Sequence, residues 1–187
     1  MVELIAVLRR HRFAVWIVSA SNVWSVRWMV LHVLNPRLRR LGVAEGVPPE
    51  QVVGVAPLLR DRREREFKDR VRVRTDAAYA RLEPRALAGL RLTTPLDQPV
   101  PVYAGKVVCL WDALGRAPYL AAGDSPGDLP MLAFAEHRLW MARLEKPAAT
   151  AAMRAVQGSA ASPDNWAVQP VRTRGTPGLV PEMPGGC

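Results

Sequence analysis

From Phe13 to Leu34 the chain is apolar enough and long enough to suggest a bilayer span. What stands near its centre decides against one. Arg27 lies there with Ser19, Ser21, Asn22 and Ser25 around it. An arginine at bilayer depth costs roughly 2.5–3.5 kcal/mol on insertion scales, before the polar cluster is added. The stretch reads better as a strand followed by a helix, broken at Ser19–Asn22. Phe13–Val18 is a continuous apolar run of the kind that forms a buried parallel strand. Val23–Leu34 then repeats apolar residues at 23, 26, 30 and 33, a helical period. The helix continues past Pro36 with some disruption and stops at Gly42, a residue suited to a left-handed C-terminal cap. A secretory leader fits poorly. Arg9, Arg10 and Arg12 follow the apolar run Leu4, Ile5, Val7, Leu8 instead of opening the chain, and the apolar core after them has six residues.

The rest of the chain extends the alternation. Val2–Arg10 is a short amphipathic helix, and Pro48-Pro49-Glu50 turns into a second buried strand, Val52–Val55. Strand, helix and strand in this order predict an α/β fold, with residues 1–55 as the first part of its core. Arg60–Arg74 is a dense run of mixed charge with no helical stripe, read as a solvated face. Residues 56–103, cut by Pro84, Pro95, Pro99 and Pro101, are expected to be an irregular insertion or β-ribbon. The α/β pattern resumes over 104–146: a helix at Gly105–Leu114, a strand at Pro118–Ala122, a tight loop at Gly123–Asp128, a helix at Leu129–Ala135, and a last strand at Arg138–Ala142. Residues 147–187 turn to Ala, Gly, Pro and Ser. They read as a loose tail, from which Trp166-Ala167-Val168 can tack onto the body.

Composition narrows the function classes. The 187 residues carry 26 basic and 17 acidic side chains, a formal charge of +9. Lysine stands only at positions 68, 106 and 146, so the other 23 basic residues are arginine, spread along the whole chain. No basic-aromatic motif accompanies them, which argues against a nucleic-acid partner. Two cysteines, Cys109 and Cys187, exclude a disulfide scaffold and a multi-cysteine zinc site. His11, His32 and His137 are isolated in sequence and read as structural, and Trp24, Trp28 and Leu31 form a helical stripe expected in the core.

The stretch richest in chemistry is Gly123-Asp124-Ser125-Pro126-Gly127-Asp128-Leu129-Pro130. It follows a predicted strand and precedes a predicted helix, which aims two carboxylates into the crevice at the carboxyl end of an open sheet. Hard oxygen donors placed so suit Mg²⁺, which takes one or two carboxylates plus water and phosphate. The same letters also spell an ordinary turn with Asp128 as an N-cap. Upstream, Lys106 follows Gly105 at the start of a helix, within reach of phosphate oxygens, although a lysine there is ordinarily solvated. Ser19 sits just past an apolar strand, where its hydroxyl and the following N–H groups can bind a phosphate oxygen, or where it serves only as a turn residue.

Taken together, strand-Ser, helix-start Lys and strand-Gly-Asp-Ser-x-x-Asp resemble the haloacid dehalogenase (HAD) superfamily of phosphatases, in its phosphoserine-phosphatase-like branch. The resemblance runs from about Val2 to Met141. Val15-Trp16-Ile17-Val18-Ser19-Ala20-Ser21 looks like the second motif of that family, Gly105-Lys106-Val107 like the third, and Gly123–Asp128 like the fourth. The Ser-Ala-Ser form is also similar to phosphorylcholine-phosphatase-like members. The resemblance implies a three-layer Rossmannoid parallel sheet and Mg²⁺-dependent hydrolysis of a small phosphorylated metabolite. It implies that Ser19 hydrogen-bonds the phosphoryl group and Lys106 stabilises its charge. Asp124 would hold Mg²⁺, and Asp128 would support the metal shell directly or through water. Neither a membrane nor a nucleic-acid partner is expected, and the default location is cytoplasmic, with periplasmic or secreted as the alternative if a signal lies in a missing N-terminus.

One family element has no counterpart. Members carry Asp-x-Asp after a first strand, and its first aspartate is the nucleophile. No Asp-x-Asp occurs in this chain, and only Glu3 among acids precedes Ser19. The expectation is therefore a HAD-like fold truncated at its N-terminus, without its central strand and inactive as it stands. A non-catalytic HAD remnant, or a binding protein with no turnover, is the alternative. Two buried strands would each lose a row of backbone partners, at roughly 1–3 kcal/mol per unpaired group. Instability follows unless the edges close on each other or a partner strand fills the slot.

Overall fold

A computed structural model of the chain describes residues 1–159, 165–172, 174 and 178–181. They belong to two compact units, Met1–Pro101 and Val102–Cys187, each mixing helices with parallel strands.

The first unit opens with α1 (Val2–Arg10), β1 (Ile17–Asn22), α2 (Val23–Met29), α3 (Asn35–Arg40) and β2 (Val52–Val55). A π-helical turn, Val30–Leu34, joins α2 to α3. Pro36 lacks an N–H, and its ring crowds the carbonyl four residues back, so the wider turn immediately ahead absorbs the conflict. The helical run ends, as expected, beside Gly42, whose φ is +80°. β1 pairs in parallel with β2 through Ile17↔Val52, Val18↔Val53 and Asn22↔Val55, with an irregularity between positions 18 and 22.

This corrects the strand predicted at Phe13–Val18. Ser19–Asn22 makes up the last four of the strand's six residues, because a ladder needs backbone groups only and the bulge absorbs the surplus residues. Asn22 then caps α2, accepting the N–H groups of Trp24 at 3.1 Å and Ser25 at 3.2 Å. The start of α2 lies directly on β2, since a Cβ on Gly54 would come 2.6 Å from the Val23 Cα. Ile5, Ala6, Val30, Leu38, Val43, Val47 and Val52 form the core of this half.

The expected β-ribbon is a three-stranded antiparallel sheet of β3 (Pro57–Arg60), β4 (Glu66–Phe67) and β5 (Arg91–Leu96), in the order β4-β3-β5. Between β4 and β5 lie α4 (Asp69–Thr75), α5 (Ala77–Ala80) and α6 (Pro84–Leu87). The charge run read as a solvated face thus contains a helix, and its Asp69 is buried. Arg27, fully buried, donates to Asp69 from Nη1 at 3.1 Å and Nη2 at 2.6 Å. The Tyr79 hydroxyl donates to Asp69 at 2.6 Å and accepts the Trp24 Nε1–H at 2.8 Å. Trp24 packs against the cluster of Leu59, Val73, Tyr79 and Ala80. Trp28 departs from the predicted core stripe: it is half exposed and lies against His32, ring centroids 5.1 Å apart.

The second unit contains α7 (Ala104–Leu114), β6 (Leu120–Gly123), α8 (Leu129–Phe134), β7 (His137–Arg143), α9 (Pro147–Ser159), β8 (Trp166–Arg172) and β9 (Gly178–Leu179). Its sheet runs β6-β7-β8-β9, with the first three strands parallel and β9 antiparallel. Two successive strand–helix–strand crossovers build it, through α8 and α9. Of the segment expected to be a loose tail, the described residues form α9 and two strands, and Trp166-Ala167-Val168 does tack onto the body by pairing with β7. Alanine gives Pro147–Ser159 a low-complexity composition, yet it is the strongest helix former, and Met153 anchors the helix at 3% exposure. β8 matches β7 from Arg138↔Trp166 to Arg143↔Val171, so the strand at Arg138–Ala142 is not the last.

Among the described residues β1 pairs with β2 alone and β6 with β7 alone, so each has one ladder edge without a strand. None of the described helices is long and apolar enough to cross a membrane. Cys109 is buried in α7, and Cys187 lies outside the described residues.

Candidate active site

At the carboxyl end of β6 the chain folds Asp124, Ser125 and Asp128 into one short loop, the position where parallel sheets leave a crevice. Capping determines its shape. Pro126–Asp128 is a single 3₁₀ turn with Ser125 ahead of it. Ser125 and Asp128 form a reciprocal capping box. Asp128 Oδ2 accepts the Asp124 N–H at 3.1 Å, the Ser125 N–H at 3.0 Å and the Ser125 hydroxyl at 2.7 Å. This back-folding requires glycine at 123, where a Cβ would lie 2.5 Å from the Asp128 Cβ.

The other oxygen of Asp128 accepts the ammonium of Lys106. Both side chains are buried, Lys106 at 6% and Asp128 at 6% exposure. Burial works most strongly against the charged carboxyl. The hydrogen bonds from Lys106, Ser125 and the Asp124 N–H, with the lysine charge, outweigh it and hold Asp128 below the ordinary carboxylate range. Lys106 reaches this point from the first turn of α7. The residue that opens that helix, Tyr103, has φ +46° and ψ −121°, conformations that non-glycine residues rarely adopt. Hydrogen bonds from Gly105 N–H to Val102 O (2.8 Å) and from Lys106 N–H to Tyr103 O (3.1 Å) close the turn. The Tyr103 ring stays exposed, with one edge toward Gly127.

Asp124 is the outward member. Its Oδ2 accepts from Arg143 Nη1 at 3.2 Å, an arginine at the carboxyl end of the adjacent strand β7, and its side chain is half exposed. Its other oxygen meets no donor among the described residues.

The second unit therefore gathers Lys106, Asp124 and Asp128. Ser19 belongs to the first unit, inside β1, where its Oγ accepts the Ser21 N–H at 3.1 Å. That N–H, read as open to a phosphate oxygen, is engaged by the serine's own side chain. Asp128 differs from the simple N-cap of the sequence reading. It caps from the third residue of the turn, and its two oxygens are occupied by four protein donors. Oδ2 takes three of these donors and Oδ1 only the Lys106 ammonium.

Arg143 and Tyr103 went unrecognised in the sequence. An arginine ending a strand is unremarkable until that strand is known to neighbour β6, and nothing in the letters marks a strained tyrosine. Ser125 could be found: Ser-x-x-Asp ahead of an apolar run is a capping signal. Compared with family models and with curated proteins, the chain matches none.

Proposed function

We propose that the loop after β6 is the phosphate-binding part of a HAD-like, Mg²⁺-dependent phosphomonoester hydrolase acting on a small phosphorylated metabolite in the cytoplasm. One observation carries the reading: a buried lysine at a helix start is ion-paired to the second aspartate of a Gly-Asp-Ser-x-x-Asp loop, at the carboxyl end of a parallel strand. Lys106, held by Asp128, and Arg143, on Asp124, place two cations at this loop, and charge stabilisation is most of what phosphoryl transfer asks of a protein.

The donor set accommodates Mg²⁺ at its lower limit. Among the described residues no three His, Cys, Asp or Glu side chains gather at one place. Asp124 would be the one carboxylate, with phosphate oxygens and water completing the shell, as Mg²⁺ tolerates. Bound there, the ion would neutralise phosphoryl charge. Lys106 keeps Asp128 ionised, and Asp128 keeps the loop N–H groups of Asp124 and Ser125 oriented. The hydrogen bond of Ser19 to the same phosphoryl group is supported by the family resemblance alone.

The absence of Asp-x-Asp favours a second reading, a HAD-like protein that binds phosphate without turnover. Calorimetric titration of the full chain with inorganic phosphate, with and without Mg²⁺, tests the site. Phosphate binding that needs Mg²⁺ in the wild type and loses that dependence in Asp124→Asn supports it, whereas equal binding by the variant sinks it. Hydrolysis of p-nitrophenyl phosphate then separates the readings: turnover favours the hydrolase, and binding without turnover the non-catalytic protein.

A further inference from the structure

The insertion of the first unit carries an open surface cavity of about 530 Å³ between the β3–β4 turn and α4 to α6, sharing no residue with the proposed phosphatase site. Five arginines and two aspartates line it, a surplus of three positive charges. The two acids are already engaged. Arg65 grips Asp61 at 2.7 Å, and Arg72 grips Asp76 at 2.9 Å while its guanidinium lies 5.0 Å from the Phe67 ring centroid. Their hydrogen bonds hold Asp61 and Asp76 below the usual carboxylate range, so they stay ionised and paired. Arg85 shares Glu83 with Arg81, two cations on one carboxylate.

Arg62 and Arg63 are exposed, and neither has a carboxylate partner among the described residues. Arg62 lies against the backbone at Gly89. Gly89 has φ +86°, and a Cβ there would come 2.2 Å from the Arg62 Nε. The lining thus combines two paired arginine–aspartate couples with two guanidinium groups that have no carboxylate partner among the described residues.

We propose that this cavity binds a small ligand bearing phosphate or pyrophosphate groups. Guanidinium forks match phosphate oxygens in pairs, which makes arginine the side chain suited to that group. The volume falls within the range of small-molecule sites. A nucleic acid, by contrast, would call for a basic stripe with aromatic platforms for stacking, and the lining contains no aromatic residue.

The test is calorimetric titration of inorganic pyrophosphate, without metal, into the full chain and two double variants. Arg62→Ala/Arg63→Ala removes the two unpaired guanidinium groups. Arg10→Ala/Arg12→Ala removes the same charge from exposed positions elsewhere in the first unit. Saturable binding in the wild type, about tenfold or more weaker in the first variant and unchanged in the second, supports the site. No saturable binding in the wild type would overturn it. So would equal weakening in both variants, or tighter binding of a single-stranded oligonucleotide that pyrophosphate fails to displace, since each points to net charge alone. The lining residues are absent from the Asp124 experiment, so either reading can fail without the other.

Discussion

Arg27 and Asp69, 42 positions apart, meet through two hydrogen bonds inside the first unit, the guanidinium fully buried and the carboxylate almost so. The pair ties α2 to α4, and with them the α/β half of the unit to its insertion. Tyr79 and Trp24 complete the polar chain. Arg27 Nε is buried with no partner, so the guanidinium is satisfied on one edge only. Pairs of this kind are more sensitive to losing one member than to losing both.

Asp69→Asn should therefore destabilise the protein by about 3–5 kcal/mol, because it strands a buried cation. Arg27→Met combined with Asp69→Leu should be less damaging than Asp69→Asn alone. Urea unfolding of the three proteins provides the comparison. Equal stability of Asp69→Asn and wild type would show that the pair does not hold the insertion.

Tyr79 should resist ionisation in the folded protein. Burial, then the neighbouring Asp69 carboxylate, push its phenol far above the ordinary value. The unfolded chain ionises the same group near about pH 10, so the stability it contributes is complete below that pH and lost as pH rises beyond it. Ultraviolet titration should show one tyrosine that ionises only together with unfolding. Smooth ionisation of all the tyrosines in the native state would contradict the burial of this hydroxyl.

Acid acts on Asp128 in the opposite sense. Its folded pKa lies below the ordinary value, so its contribution is fully present above the ordinary carboxylate range and disappears as pH falls through the depressed folded value. Asp128→Asn should make stability flatter with pH in that acidic window. At neutral pH it should cost about 3–5 kcal/mol, because Lys106 is left buried without a counter-charge. A variant with an unchanged acid profile would remove Asp128 from this role.

Ser125→Ala should cost about 1 kcal/mol, the usual worth of a helix cap, since Lys106 and the backbone donors still hold Asp128. Gly123→Ala should cost more, because its Cβ has no room beside Asp128. Thermal unfolding ranks the two. The reverse order would mean that the loop does not depend on the close approach.

Arg143→Ala should strengthen Mg²⁺ binding in calorimetry, by removing a cation that competes for Asp124. Unchanged or weaker binding would argue that Asp124 is not the ligand.

How much of this was legible depended on the kind of signal. α7, β6, α8 and β7 lie within a residue or two of their predicted bounds, because apolar periodicity and Gly/Pro punctuation agree there. β1 was displaced because Ser19–Asn22 carries turn letters, while a parallel ladder is built from backbone. α4 was hidden in a run of charges, and the burial of Asp69 depends on a partner in a distant helix. α9 was masked by composition, whereas the start of β8 was legible in Trp166-Ala167-Val168, the part of the tail expected to tack onto the body. In the loop after β6, residue type and spacing brought out Lys106, Asp124 and Asp128. The pairing of Lys106 with Asp128 across 22 positions, and the place of Arg143, are properties of the folded chain.

Gly54, where α2 starts against β2, reaches further than its size suggests. A single methyl group at 54 would lift the beginning of the helix that carries Arg27, four residues further on. The smallest residue in β2 thus sets how closely the buried arginine's helix can approach its sheet, and so where that guanidinium meets its carboxylate.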